Sequence, residues 1–449
     1  MISDAIKLYN SMMNGPMAQN AVEKLIESTS RHNLYFGNRP LCTVLRPLFV
    51  SSGQYEIIRR DSGLILSAIE KLTRALVTET RLRSLLDLSM KEEEIISIDP
   101  GFRAPDASGR LDAFLNSEGG FSYVEYNADS PGGLLFGDVL SETFLQMEIL
   151  GEFSRHYPLR RIPIRPRLLN TLLDCYQQWG HWNLREKPHI AIVDWKEVQT
   201  RPEFEICRAY FESMGYPTII TDPDSLEYRG GWLRSGNFKI NLVYKRVLTT
   251  ELLDRCELNH PLILATRDKA VCTVNSFRVQ LLFKKSLFAL LSDPDNHHLF
   301  NKEEQASIAL HIPWSRKLGE GFTNYRGRRV DLIDFTTSHR ENLVLKPNND
   351  YGGRGVKLGW ECSESEWQQA IKDALGASYI VQERVEVTRQ LFPTMIDNTI
   401  EFSEKYVDFD PYTWNGEEIE GAGVRLSSSA LLNVSAGGGS ATPMFIIEE

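Results

Sequence analysis

Glu125 and Asn127 stand two positions apart in the run Tyr123-Val124-Glu125-Tyr126-Asn127-Ala128-Asp129-Ser130-Pro131. The run reads as a β-strand, in which side chains alternate faces, so the carboxylate and the carboxamide point the same way. Hard oxygen donors converging on one point suit Mg²⁺. Upstream, Gly109-Arg110-Leu111-Asp112-Ala113-Phe114-Leu115 leads into the turn-like cluster Asn116-Ser117-Glu118-Gly119-Gly120, and together they predict a β-hairpin. A turn centred near Glu118-Gly119 sets Asp112 across from Glu125 and Arg110 across from Asn127. Directly opposed residues share a face. One face then carries Arg110, Asp112, Glu125 and Asn127, while Leu111, Ala113, Leu115, Val124 and Tyr126 suit a core. The competing reading is a solvent-facing hairpin with charges on its wet side. Against it stand the two opposed acids, which repel without a cation, and the rigid Ser-Pro-Gly-Gly turn that ends the strand.

A second group of residues suggests phosphate chemistry. Leu343-Val344-Leu345-Lys346-Pro347 reads as a strand ending in a lysine, followed by a loop that contains Gly352, Gly353, Arg354 and Gly355. Glycines let backbone N–H groups approach phosphate oxygens, and the lysine supplies charge. The spacing is neither GxxxxGK[ST] nor a complete GxGxxG. A plain glycine turn in a hairpin remains the other reading. Further on, the strand Tyr379-Ile380-Val381-Gln382-Glu383-Arg384-Val385 can offer backbone hydrogen bonds to a base and a carboxylate to a ribose hydroxyl.

The elements that must position these residues are of mixed type. The region from 1 to about 98 reads as mostly helical, with helical apolar spacing from Leu64 to Leu88. Helices are expected from about Gly137, over Leu168 to Trp182, over Glu203 to Met214, over Phe277 to Leu291 and over Glu364 to Leu375. His189 to Trp195, Pro217 to Ile220 and Ile240 to Tyr244 read as buried strands of a βαβ-type unit, with Gly230-Gly231 in the connection. The class is α/β (α+β), with several mixed sheets.

A chain of 449 residues has room for two or three domains. Its net charge of −10, with no long basic run, argues against nucleic acid as a partner. No stretch approaches a membrane span, and Met1-Ile2-Ser3-Asp4 does not open a signal peptide, so a cytoplasmic protein is expected. The scattered cysteines, without a CxxC pair, read as reduced packing residues.

The order strand–Lys–Pro–glycine loop, helix, then "YIVQERV" resembles the ATP-binding half of ATP-grasp enzymes. "GRLD" and "VEYNADSP" lie some 200 residues ahead of that half, where ordinary ATP-grasp chains carry their metal ligands after it. The chain is therefore similar to the circularly permuted ATP-grasp group, which includes the synthetase domain of glutathionylspermidine synthase. The resemblance covers roughly residues 99–449. It implies an ATP-grasp portion at 99–160 and 296–449, a pre-ATP-grasp-like substrate unit at 161–295, and the helical region at 1–98 outside its reach. It implies Mg²⁺ ligands at Asp112, Glu125 and Asn127, and a phosphate-contacting arginine at Arg110. ATP contacts are implied at Lys346, at Gly352, Gly353 and Gly355, and at Gln382, Glu383 and Val385. "FKKSLFALL" resembles a lysine-bearing family helix and favours Lys285 over Lys284 as the second phosphate lysine. The ending "LLNVSAGGGSATPMFII" is similar to that of permuted ATP-grasp proteins of unknown substrate.

What the resemblance implies is a ligase. ATP phosphorylates a small-molecule carboxylate, an amine displaces the phosphate, and ADP and phosphate leave. Phosphorylation of an enol oxygen, as in mycosporine-glycine formation, and a non-catalytic nucleotide-binding scaffold are the alternatives. Arg425 either holds the acyl phosphate or is a surface-paired strand residue. Asp408 and Asp410 either bind the amine or cap a turn before Pro411. Gly437 to Ser440 either closes on substrate or forms the final turn.

Overall fold

The computed structural model describes residues 1–116, 119–180, 186–350, 352–396, 399–429 and 439–448. Ser117, Glu118, Trp182 and the tail from 431 to 438, all part of the expectations above, lie outside the described residues. The expected hairpin forms from Ser108–Leu115 and Phe121–Asn127, with Asp112 across from Glu125 and Arg110 across from Asn127. Its register slips by one residue beyond Asp112, so that Ala113 faces Tyr123 and Val124 is left over as a bulge. Val124 therefore does not join the core face as expected. Tyr123 is buried in its place, beside Leu111, Ala113, Leu115 and Tyr126.

The hairpin is half of a four-stranded antiparallel sheet. Asp410–Trp414 pairs with the 108–115 strand, and Glu418–Gly423 pairs outside it. Strands nearly 300 positions downstream thus complete the sheet that carries the candidate ligands. Leu48–Ser51 also pairs with the chain's last strand, Met444–Ile447, in parallel. The N-terminal helices Ile2–Met12, Gly15–Arg31 and Ser52–Thr78 share one continuous core with these strands, in which Tyr9, Leu72, Phe144 and Phe445 are all buried.

The parallel unit is present as expected. Ile190–Val193 lies between Thr218–Thr221 and Leu242–Lys245, with Cys272–Val274 at the far edge, all parallel. The helix Arg201–Ser213 makes the crossover. Gly230 and Gly231, both at positive φ, form the tight turn of a small meander in the next connection. The helix expected over Leu168 to Trp182 runs Ile164–Trp179 and stops at Gly180, whose φ of +93° closes it.

A third sheet, in the order Ser315–Lys317, Tyr379–Glu383, Leu343–Pro347 and Lys357–Leu358, is antiparallel throughout. Its own core contains Trp314, Phe335, Leu345, Trp367 and Val381. The glycine loop joins Leu343–Pro347 to Lys357–Leu358 and is thus a hairpin turn by topology.

Two helix expectations need correction. The Leu64 to Leu88 pattern is a helix Ser52–Thr78, begun by the Ser51 side chain accepting the Gln54 N–H, and then short turns over Thr80–Arg83 and Ser84–Leu86. The single helix expected over Phe277 to Leu291 is broken. Lys284 is extended (φ −69°, ψ 133°) between Gln280–Phe283 and Ser286–Leu291. The break frees the Lys285 and Ser286 N–H groups, which donate to the backbone and side-chain oxygens of Asn348. Among the described residues no helix is long and apolar enough to cross a membrane.

Candidate functional site

The three sheets converge on one cavity of about 1730 Å³. A single drug-sized ligand fills roughly 300–1,000 Å³, so there is room for more than one molecule. Of the candidate residues, Gly355, Lys284 and Asp408 do not line it, whereas the other phosphate, base, cation and arginine candidates do. Gly355 supports the loop from behind: at φ +67°, an added Cβ would lie 2.7 Å from Pro347 Cγ.

On the carboxylate sheet, Arg110 grips Asp112 with Nε on Oδ1 at 2.6 Å and Nη2 on Oδ2 at 3.0 Å. Arg425 Nη2 adds a third contact to Asp112 at 2.7 Å. Burial pushes the Asp112 carboxyl up, but Arg110 and then Arg425 pull harder and hold it well below the usual carboxylate range. Arg425 is not a surface strand residue. Its Nε donates to Asp408 at 2.7 Å and lies 2.9 Å from Asp410. Asp408 and Asp410 are both 1% exposed. They neither cap a turn nor face solvent as a free amine site; they hold Arg425. Burial lifts Asp408 to about 6, against the pull of Arg425, and lifts Asp410 well above the ordinary carboxylate value.

Glu125 and Asn127 share the cavity face. Glu125 accepts from Asn127 Nδ2 at 3.3 Å and lies 3.3 Å from Lys285 Nζ. Burial raises the Glu125 carboxyl, but Lys285, Lys346 and Arg425 together bring it below its ordinary value. Oxygen from Glu125 and Asn127 is the right donor chemistry for a hard divalent cation. Asp112 is turned to the arginines instead, and among the described residues no three acids, histidines or cysteines converge as a metal cluster. The residues present therefore fit a cation through Glu125 and Asn127, with Asp112 held aside.

Across the cavity, Lys346 Nζ donates to Gln382 Oε1 at 2.7 Å and to the Val124 carbonyl at 3.1 Å. The bulge thus serves the site, because it turns that carbonyl toward the lysine. Burial pushes the Lys346 ammonium down to about 8, against the pull of Glu125. Gln382 is itself buried and donates to Ser315 Oγ at 3.0 Å, so its side chain orients Lys346. The Glu383 carboxylate accepts from Tyr325 at 2.9 Å and Arg326 at 2.7 Å. The two neighbouring lysines part company: Lys285 lines the cavity, whereas Lys284 is 1% exposed and pairs with Glu92 away from it.

Asp129, inside the same motif, holds the strand end to the parallel unit. It forms a fully buried ion pair with Lys245 and accepts the Thr249 N–H at 2.7 Å. Ser130 (φ +58°) follows in the left-handed region and donates to the Lys245 carbonyl. Sequence reasoning missed the second arm of the cavity, formed by Asp194, Trp195 and Arg246. They sit just past the ends of the two central parallel strands, where the crossover direction reverses. That position is where open parallel sheets bind ligands, and the strand pattern alone could have pointed to it. Arg246 and Trp195 are buried, and Arg246 Nε and Trp195 Nε1 have no hydrogen-bond partner.

The fold is mixed α/β and similar to that of a solved glutathione synthetase-like protein. A glutathione synthetase-like effector from Globodera pallida, in its apo form, matches over 97% of this chain and 99% of its own, with a TM-score of 0.59 and 10% identity. At that identity the likeness is one of fold. An uncharacterized protein of Synechocystis sp. is 23% identical over 355 residues, which cover 73% of this chain and 66% of that protein. No family model matches the chain.

Proposed function

We propose that the chain is an ATP-dependent ligase that joins a small-molecule carboxylate to an amine, with Mg²⁺. The observation that carries this reading is the convergence of Lys346, Lys285, the Gly352-Gly353 turn, Glu125, Asn127 and Arg425, from four separate chain segments, on one cavity large enough for nucleotide and substrate together. Lys346, Lys285 and the loop glycines neutralise and position the triphosphate, and the strand ending in Gln382 and Glu383, followed by Val385, borders the base. A cation held by Glu125 and Asn127 supplies charge stabilisation at the phosphates. Arg246, in the second arm, pairs with the substrate's own anionic group.

A carboxylate oxygen of the substrate attacks the γ-phosphorus and the bond to ADP breaks. Arg425 and Arg110, already fixed by acids, face the developing acyl phosphate. The amine nitrogen then attacks the acyl carbon, phosphate departs, and the nitrogen loses a proton. Catalysis of this kind rests on placement and charge, so it needs no protein nucleophile.

We read the order of segments as a circular permutation of the ATP-grasp arrangement, similar to glutathionylspermidine synthase. What supports it is the pairing of the 108–127 hairpin with Asp410–Trp414 and Glu418–Gly423 in one sheet. The test is incubation with ATP, Mg²⁺ and a metabolite extract, followed by mass spectrometry. ADP, phosphate and a new amide are expected, all dependent on Glu125. Full turnover by Glu125→Ala removes the cation assignment, and a C=C–N product replaces the carboxylate with an enol.

A further inference from the structure

We infer that the segment from Arg83 to Glu93 is part of the nucleotide machinery, and that Glu92 and Lys284 form a buried pin that sets the glycine loop and Lys285 against the carboxylate hairpin. This rests on the nucleotide reading above and assigns a task to the N-terminal region, which no motif addresses. Lys284 Nζ donates to Glu92 Oε1 at 2.6 Å on one side and to Asn349 Oδ1, at the start of the loop, at 2.7 Å on the other. Glu92 does not float. Its second oxygen accepts the Ser89 N–H at 2.7 Å and closes the capping box of the helix Met90–Ile95.

A second fastening runs in parallel. Asn348 is 1% exposed and donates from Nδ2 to the Leu86 carbonyl at 2.9 Å. Its Oδ1 accepts the Ser286 N–H at 2.8 Å, and its backbone oxygen accepts the Lys285 N–H at 3.0 Å. Asp87, at φ +54°, holds Lys317 at 2.5 Å and Ser378 at 2.6 Å, one residue on each of two chain segments of the loop's sheet. The segment is anchored in turn. Arg83 donates to the Leu76 carbonyl at 2.8 Å at the end of the long helix, and Lys91 donates to the Leu253 carbonyl at 3.1 Å in the parallel unit.

The consequence is geometric. Lys285 follows Lys284 directly, and its Nζ reaches both the Asp350 carbonyl and Glu125. A shift of Lys284 therefore moves the phosphate-facing lysine and the loop together, relative to Glu125. A buried ammonium in a charged hydrogen bond tolerates little displacement, because losing its partner leaves an uncompensated charge. Lys284 and Glu92 are positioning residues; neither lines the cavity.

The experiment uses the full chain, with Lys284→Met, Glu92→Gln and Asn349→Ala. Asn349 is exposed, so the last variant loosens the pin without opening the core. Hydrogen exchange is measured without ligand, and binding of β,γ-imido-ATP with Mg²⁺ is measured by calorimetry. Exchange within 343–350 is expected to rise about tenfold, with a similar loss of affinity, the scale of one charged hydrogen bond. Exchange within 190–193 is expected to stay at the wild-type rate. Unchanged exchange at 343–350, an even rise over the whole chain, or variants that bind the analogue as wild type does would each overturn the pin. Wild-type protein that ignores the analogue while the local exchange effect persists counts against the ligase reading and leaves the pin in place.

Discussion

Replacing Arg425 by glutamine tests whether the acidic cluster exists to hold that guanidinium. Arg425 contacts Asp112 at 2.7 Å, Asp408 at 2.7 Å and Asp410 at 2.9 Å. Each contact amounts to roughly 6 kcal/mol of gross attraction at an effective dielectric of about 20. The net loss is smaller, because the stranded acids can take up protons. Burial already lifts Asp408 to about 6 and Asp410 well above the ordinary value, with Arg425 pulling both down. A net destabilisation of roughly 3–5 kcal/mol is expected near neutral pH, the usual scale for breaking a buried pair. Both acids have folded values above the ordinary carboxylate value. Each therefore costs stability as pH rises from the ordinary value through its folded value. Without Arg425 those folded values climb further, so the cost extends to higher pH. The gap between wild type and variant should widen from about pH 5 to about pH 8. Urea denaturation at three pH values in that range measures it. A gap that is flat across the range, or below about 1 kcal/mol at the upper end, refutes the account.

Lys346, held down to about 8, should make nucleotide affinity fall as pH rises through that value, by up to about tenfold per unit, because phosphate selects the charged lysine. The same depression means that this group's contribution to folding improves between pH 8 and the ordinary lysine value. Lys346→Met should accordingly abolish nucleotide binding in calorimetry without lowering the melting temperature at neutral pH. Glu125→Gln should lose Mg²⁺-dependent ADP release by about 100-fold or more while the fold, read by circular dichroism, is kept. Gly355→Ala should cost about 1–3 kcal/mol in urea denaturation, since the loop must hold a positive φ with a Cβ 2.7 Å from Pro347 Cγ.

The hairpin and its opposed pairs were legible because strand alternation and a turn cluster fix register over short distances. Pairing of Asp112 with Glu125 followed directly from counting back from the turn. The same count misplaced Val124, since a bulge adds one residue without any sign in composition. The parallel strands were legible as short apolar runs, and their ends could have named Arg246 and Trp195 in advance. Lys284 and Lys285 were harder. An apolar helical pattern continues through both, and only the tertiary demand of Asn348 for two N–H donors breaks the helix there.

Arg425 shows where local reading stops. Its strand, Arg425–Ser427, is three residues long, and the local run left its role open between an acyl-phosphate contact and a surface pair. Its acids come from Asp112, over 300 positions upstream, and from Asp408 and Asp410 at the entry to the strand Asp410–Trp414, so its environment exists only after the carboxylate sheet has closed. That closure also decides what the acids do. Asp408 and Asp410 have the composition of an amine site, but their hydrogen bonds go to Arg425 and to the Ala113 N–H. Asp112 has the composition of a metal ligand, and the same sheet turns both its oxygens to arginine. A cation that recruits Asp112 must therefore displace Arg110 or Arg425 from it. Cation binding at Asp112 and the positions of Arg110 and Arg425 are then coupled through one carboxylate.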